Sequence, residues 1–201
     1  MFNPRFARRR ATRYRKRGLD KTARRMVELL AQRGVQDATV LEIGGGVGEI
    51  QIELLKRGAA SATNLELSPG YDAEARQLLA EAGLTGRVDR RLVDIATRPA
   101  AVEPADVVIL HRVVCCYPDY STLLAAAADH ARHQVVYSYP PRNLVSRAGL
   151  ATQNLLFRLL RRDFRTFAHP PTAMLAVLAE HGMRSTAAHR GPVWQIGTGT
   201  R

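Results

Sequence analysis

Glu42 and the glycines Gly44, Gly45, Gly46 and Gly48 are the residues of this chain whose types and spacing point most directly to a chemistry. They stand in Val40-Leu41-Glu42-Ile43-Gly44-Gly45-Gly46-Val47-Gly48-Glu49-Ile50. This reads as a buried strand, a glycine turn and the start of a helix. Such a turn brings backbone N–H groups against a nucleotide-like ligand. It needs glycine because it uses positive φ and because a Cβ would hold the ligand off. The spacing then separates ligand classes. A dinucleotide turn follows G-x-G-x-x-G, but the sixth position from Gly44 is Glu49, so the third glycine is missing. What is present is an acid followed by glycine at every second position, E-x-G-x-G-x-G.

Two further acids fall where open α/β sheets bind ligands, at the ends of strands. Glu66, followed by Leu67, closes the second expected strand, and a carboxylate there can accept both hydroxyls of a ribose. Asp94, followed by Ile95, closes the third. Acids at strand ends are also common as caps and loop residues, so each gains meaning only from the glycine turn before it. After the fourth strand comes His111-Arg112-Val113-Val114-Cys115-Cys116-Tyr117. His111 titrates near neutrality and can serve as a general base, or it can pack beside the ligand, bonded to the loop. Tyr117 is the other catalytic candidate. Tyr139, His169 and Trp194 are candidates for a substrate pocket, each with an equally good place in the core.

The elements that must position these residues alternate along the chain. Helices are expected over 20–33, 47–57, 119–132, 143–161 and 171–181, and one runs from the Ser68-Pro69 cap to near Gly83. Strands are expected at 38–43, 61–66, 87–93, 105–110 and 134–139, with a closing hairpin at about 184–189 and 193–199. Alternation of this kind is the signature of an α/β fold with a mostly parallel sheet. The chain reads as a basic arm over 1–18 and one domain over 19–201. Leu144, Val145, Ala148, Ala151, Leu155, Leu156, Leu159 and Leu160 recur at helical spacing, and Arg158, Arg161, Arg162 and Arg165 gather at the end. That stripe fits a core helix packed on the sheet, or a helical lid over about 142–166 above a hydrophobic acceptor.

The stretch from about 36 to 112 resembles the class I S-adenosylmethionine (SAM) methyltransferases. E-x-G-x-G-x-G corresponds to motif I of that family, with Glu66 and Asp94 at the two following acidic positions. More narrowly, the segment from Leu110 to Asp119, together with Ser138-Tyr139-Pro140-Pro141-Arg142 and Val193-Trp194-Gln195, is similar to small bacterial methyltransferases near the magnesium-protoporphyrin and ubiquinone-pathway O-methyltransferases. The resemblance implies a Rossmann-like seven-stranded sheet in the order 3-2-1-4-5-7-6 with the last strand antiparallel. It implies SAM as cofactor, with Glu42 taking the ligand's cationic end, the glycines wrapping its methionine portion, and Glu66 and Leu67 at the ribose. Asp94 and Ile95 would hold the adenine, and His111 would lie near the methyl group. Arg17 and Gly18 fall where the N-terminal segment of this family closes over the methionine end. A small-molecule acceptor is expected, with O-methylation favoured. Alternatives are an RNA or protein acceptor docked by the basic arm, and a SAM- or nucleic-acid-binding module without turnover. Ser138-Tyr139-Pro140-Pro141 is not the N-P-P-Y signature of base-amine methylation, because it follows the fifth strand and its order is Tyr-Pro-Pro.

Charge and cysteine usage bound the partners. Residues 1–25 hold eleven Lys/Arg against one acid, so +10 of the net charge of +12 lies there. A basic segment of this kind meets nucleic acid, an anionic membrane surface or another anion, or it simply solvates the terminus. The two cysteines, Cys115 and Cys116, are neighbours and unsuited to bridge one another. A reducing cytoplasm is therefore expected. They suit packing better than nucleophilic carbon methylation, since no basic partner is evident. No Cys/His spacing reads as a metal site, and no apolar run approaches the roughly 18 residues of a membrane span.

Overall fold

A computed structural model describes residues 3–161 and 164–201. The period-two and period-3.6 segments become seven strands and seven helices among these residues. The strands are β1 (Thr39–Ile43), β2 (Ser61–Leu65), β3 (Val88–Arg91), β4 (Ala105–Leu110), β5 (Ala131–Tyr139), β6 (Arg184–Arg190) and β7 (Gln195–Thr200). They form one sheet in the order β3-β2-β1-β4-β5-β7-β6. β1 to β5 pair in parallel, and β7 runs antiparallel to both β5 and β6. This is the Rossmann-like order that the resemblance implied.

The helices are α1 (Pro4–Arg17), α2 (Lys21–Gln32), α3 (Glu49–Lys56), α4 (Asp72–Glu81), α5 (Tyr120–Asp129), α6 (Leu144–Leu159) and α7 (Pro171–Glu180). Their apolar residues make two clusters, one on each face of the sheet. Met26, Leu30, Ile52 and Leu78 from α2, α3 and α4 belong to the first, while Leu123, Leu124, Met174 and Leu178 from α5 and α7 belong to the second. The apolar runs of β1 and β4 read as continuous rather than alternating because both their faces are covered.

The basic N-terminus is a helix seated on the body. Asn3 caps it by accepting from Phe6 N at 3.0 Å, and Pro4 opens its first turn. Ala7 and Ala11 are fully buried, so α1 approaches its neighbours closely along a strip of small residues. Tyr14 donates to Glu53 of α3 at 2.6 Å, and Arg15 reaches Glu81 and Glu74 of α4 at 2.8 and 3.4 Å. Arg10 turns inward to Glu49 of α3, while Arg5, Arg8, Arg9, Arg13, Lys16 and Arg17 face outward.

α6 corrects the expectation of a core helix. None of its residues is buried. Its anchors are the Asn143 cap, the hydrogen bonds that Asn154 exchanges with Thr166 at 2.8 and 2.9 Å, and the Phe157–Phe164 ring contact. The sheet face that the leucine stripe was expected to cover is already filled by α5 and α7. Arg162, one of the arginines clustered at its end, lies outside the described residues.

Candidate functional site

β1 connects outward to β2 on one side while β4 continues the sheet on the other. A crevice opens at the C-terminal ends of the strands at this switch point. A cavity of about 770 Å³ occupies it, within the range of small-molecule sites. Glu42, Gly44, Gly45, Gly46, Glu66, Leu67, Asp94, Ile95, His111 and Tyr117 all line it. Gly48 does not. It caps α3 in the left-handed region, at φ +81°, and so aims the helix at the cavity from behind the turn.

Glu42 lies at the floor, 2% exposed, with Oε2 accepting from Gln51 N at 3.2 Å. Burial, with the charge of Glu49 second, pushes its carboxyl up to about 8. A buried chain of polar groups fixes its surroundings. Asn64 donates to Gln51 Oε1 at 2.9 Å, and Arg90 donates to Asn64 Oδ1 at 2.6 Å and to Asp72 at 2.7 Å. Gly45 is explained by this chain, because a Cβ there would collide with the Asn64 amide. Gly46 is different: it needs its positive φ of +57°, and beside it stands only the Tyr71 ring, at 3.6 Å from a Cβ. The turn at Gly46 is therefore open to the cavity.

Glu66 is tied to the backbone on both sides. Its Oε2 accepts from Gly46 N at 2.9 Å, while Oε1 accepts from Leu67 N and Ser68 N at 2.8 and 2.9 Å. It clamps the glycine turn of β1 to the turn after β2. Asp94 accepts from Ala96 N at 3.1 Å and from the Tyr117 hydroxyl at 3.0 Å. Ile95, 1% exposed, packs beside it. Tyr117 titrates at about 12, raised by partial burial and by its bond to Asp94. Its hydroxyl is a donor at neutral pH.

His111 has its ring nitrogens directed at protein groups. Ser138 Oγ accepts from Arg112 N at 2.9 Å and lies 3.0 Å from His111 Nδ1. The His111 Nε2 lies 3.6 Å from Asp20 Oδ2. Burial lowers its pKa, so the ring is neutral at pH 7. Asp20 in turn caps α2 through Thr22 N and Ala23 N at 2.9 and 3.1 Å, and pairs with Arg112 at 2.8 Å. Burial raises the Asp20 carboxyl, but His111, the Ala23 N–H and the charge of Arg112 together hold it well below the usual range. Arg112, at φ +60°, lies over the Trp194 ring 4.9 Å from its centroid.

Sequence reasoning missed several residues of this site. Phe6 and Arg10 reach the cavity from α1, and Arg10 pairs with Glu49 at the start of α3. Arg17 and Gly18 do not line the cavity, since they lie two turns further along the same helix. Trp194 and both cysteines line it, whereas Tyr139 and His169 do not. Tyr139 stacks on Tyr137 in the core, and His169 bonds Tyr117 O at 3.0 Å. Cys115 and Cys116 are free thiols, and contact with Cys115 together with burial raises Cys116. A signal for Arg10 existed in the sequence only as one cation among eleven.

Residues 40–134 match the family described as a methyltransferase domain. Over those residues the chain is similar to a methyltransferase domain. No curated protein matches it. Solved structures of methyltransferases resemble this chain in fold. Magnesium protoporphyrin IX methyltransferase from Synechocystis PCC 6803 with bound SAH is 23% identical, with a TM-score of 0.71 over 90% of this chain and 82% of that one. An O-methyltransferase family protein from Burkholderia thailandensis is 20% identical, with a TM-score of 0.72 over 90% of this chain and 56% of that one. Human N-acetylserotonin methyltransferase in complex with SAM is 17% identical, with a TM-score of 0.67 over 98% of this chain and 55% of that one.

The residues present fit SAM. Glu42 is a buried carboxyl that forms no ion pair among the described residues, placed where a cationic ligand would relieve its isolation. The turn at Gly46 leaves room for close backbone approach, and two acids, Glu66 and Asp94, stand at successive strand ends. Among the described residues no group of His, Cys, Asp and Glu could hold a metal ion.

Proposed function

We propose that this methyltransferase transfers a methyl group to an oxygen of a small, largely apolar acceptor, and does so by positioning. The observation that carries the reading is the continuity of the cavity. It runs from the polar turn at Glu42 and Gly46 to a wall of Val113, Leu123, Val145, Leu150, Val193 and Trp194. The first region suits the cofactor, and the second offers an acceptor an apolar surface with few polar groups. O-methylation is supported by the fold neighbours, several of which are O-methyltransferases.

When bound, SAM supplies an electrophilic methyl group on a sulfonium. Glu42 would take the ligand's ammonium, with Arg10 giving the same end a positive charge for its carboxylate. Glu66 would offer oxygen lone pairs to the ribose, and Asp94 would accept from the adenine amino group beside Ile95. His111 holds the turn after β4 through Ser138 and Asp20. Its Nδ1 is engaged with Ser138, and its Nε2 stands beside the Asp20 carboxylate. Tyr117, protonated and donating to Asp94, is likewise a positioning group. In-line placement of acceptor and methyl supplies much of the rate, since a positioned bimolecular step avoids most of its entropy cost.

The test is turnover of SAM to S-adenosylhomocysteine by the full chain across apolar phenols, carboxylic acids, amines and thiols. Hydroxyl or carboxyl acceptors that leave S-adenosylhomocysteine and a methyl ether or ester support the reading. Turnover confined to amines, thiols, RNA or protein overturns it.

A further inference from the structure

Two helices at the cavity leave opposite kinds of surface uncovered. On α6, Ser146, Gly149, Leu150 and Gln153 turn toward the cavity. The helix and its C-cap also carry Leu144, Leu155, Leu156, Leu159 and Leu160, and Val145 at the cavity's edge, each 52–82% exposed. Exposed apolar residues scattered singly are ordinary, but six on one helix with no buried residue are a patch. Arg142, Arg147, Arg158 and Arg161 flank it, and no acid occurs between Asp129 and Asp163. On α1 the outward face is a shallow concavity lined by Arg5, Arg8, Arg9, Arg13, Lys16 and Arg17. Among the described residues only Arg8 of these meets a carboxylate, Glu74 at 3.5 Å.

We infer that α6 and α1 dock this protein onto an anionic lipid bilayer, with the α6 leucines at the acyl boundary and the arginines on headgroup phosphates. The charge pattern chooses this occupant over others. A second copy meeting α6 through a two-fold axis would bring arginines against arginines. A nucleic-acid backbone would engage the cations but give the leucines nothing to bury against. A bilayer surface satisfies both, because an amphipathic helix in the interface gains from apolar burial and from anionic headgroups together. Phe6 of α1 and Val145 of α6 also line the cavity, so docking would set its wall against the phase where apolar molecules partition. That last consequence rests on the proposed acceptor class, while the docking itself does not.

The experiment is co-sedimentation of the full chain with phosphatidylcholine vesicles, with and without phosphatidylglycerol, at low and high salt and without SAM or acceptor. Leu155→Gln/Leu159→Gln and Arg5→Gln/Arg9→Gln/Arg13→Gln are compared, all at exposed positions outside the cavity lining, with circular dichroism confirming the fold. Binding to the anionic vesicles is expected, weakened by salt, and reduced by about tenfold or more in each variant. Failure to bind anionic vesicles overturns the inference. So does full binding by the leucine variant, since charge alone would then suffice. A dimer in analytical ultracentrifugation that the leucine variant splits assigns the face to a second copy. Binding of single-stranded RNA, with none to vesicles, assigns the cations to nucleic acid.

Discussion

Replacing Glu42 by glutamine tests whether the acid at the cavity floor is a carboxyl held neutral by burial. The side chain is fully buried, and its pKa stands at about 8 against an ordinary 4.5. The unfolded chain loses this proton near 4.5, whereas the folded protein keeps it until about 8. The stability contribution is therefore fully present below 4.5 and is lost as pH rises through 8. A shift of that size corresponds to at most about 5 kcal/mol, spread over the window at roughly 1.4 kcal/mol per pH unit. Glu42→Gln retains an oxygen for Gln51 N and removes the titration. Urea melts at several pH values between about 5 and 8 should show the wild type losing stability relative to the variant, with equal denaturant slopes. Calorimetry with SAH in buffers of different ionisation enthalpy adds a second reading. At pH 7 the wild type should release up to about one proton on binding, because a ligand ammonium favours the charged carboxylate, and the variant none. Parallel stability curves for the two proteins would refute the reasoning about burial. Buffer-independent binding heats would refute the pairing with the ligand.

Gly45→Ala should destabilise the protein by about 1–3 kcal/mol, because its Cβ meets the Asn64 amide that holds Gln51 beneath Glu42; thermal melts measure it. Arg10→Gln should weaken SAH binding by about tenfold in titration calorimetry, through loss of a cavity cation and of the Glu49 pair that holds α1 at this end. Tyr117→Phe should leave the pH profile of kcat unchanged between about 6 and 9, since the hydroxyl is already a donor throughout that range; a lost basic limb would show that Tyr117 takes a proton.

The residues that could be read from the chain are those whose role is set by their immediate neighbours. The turn at Gly44 to Gly48 depends on contiguous backbone, and Glu66 and Asp94 are placed by where strands stop, so their order along the cavity followed from their order in the sequence. Strand and helix alternation was legible for the same reason, whereas the sheet order came only with the family resemblance. Whatever joins distant segments was decided by the tertiary structure. Arg10 became a cavity residue because the buried alanines of α1 seat that helix close to α3 and α4. Gln51, Asn64 and Arg90 became the support of Glu42 only when α3, β2 and β3 met. His111 read as either a general base or a loop-bonded packing group, and its neighbours Ser138 and Asp20, both far along the chain, came only with the fold. The leucine stripe of α6 shows the same boundary most plainly. Periodicity established that the helix has an apolar face, but whether that face is covered depends on which other helices reach the sheet first.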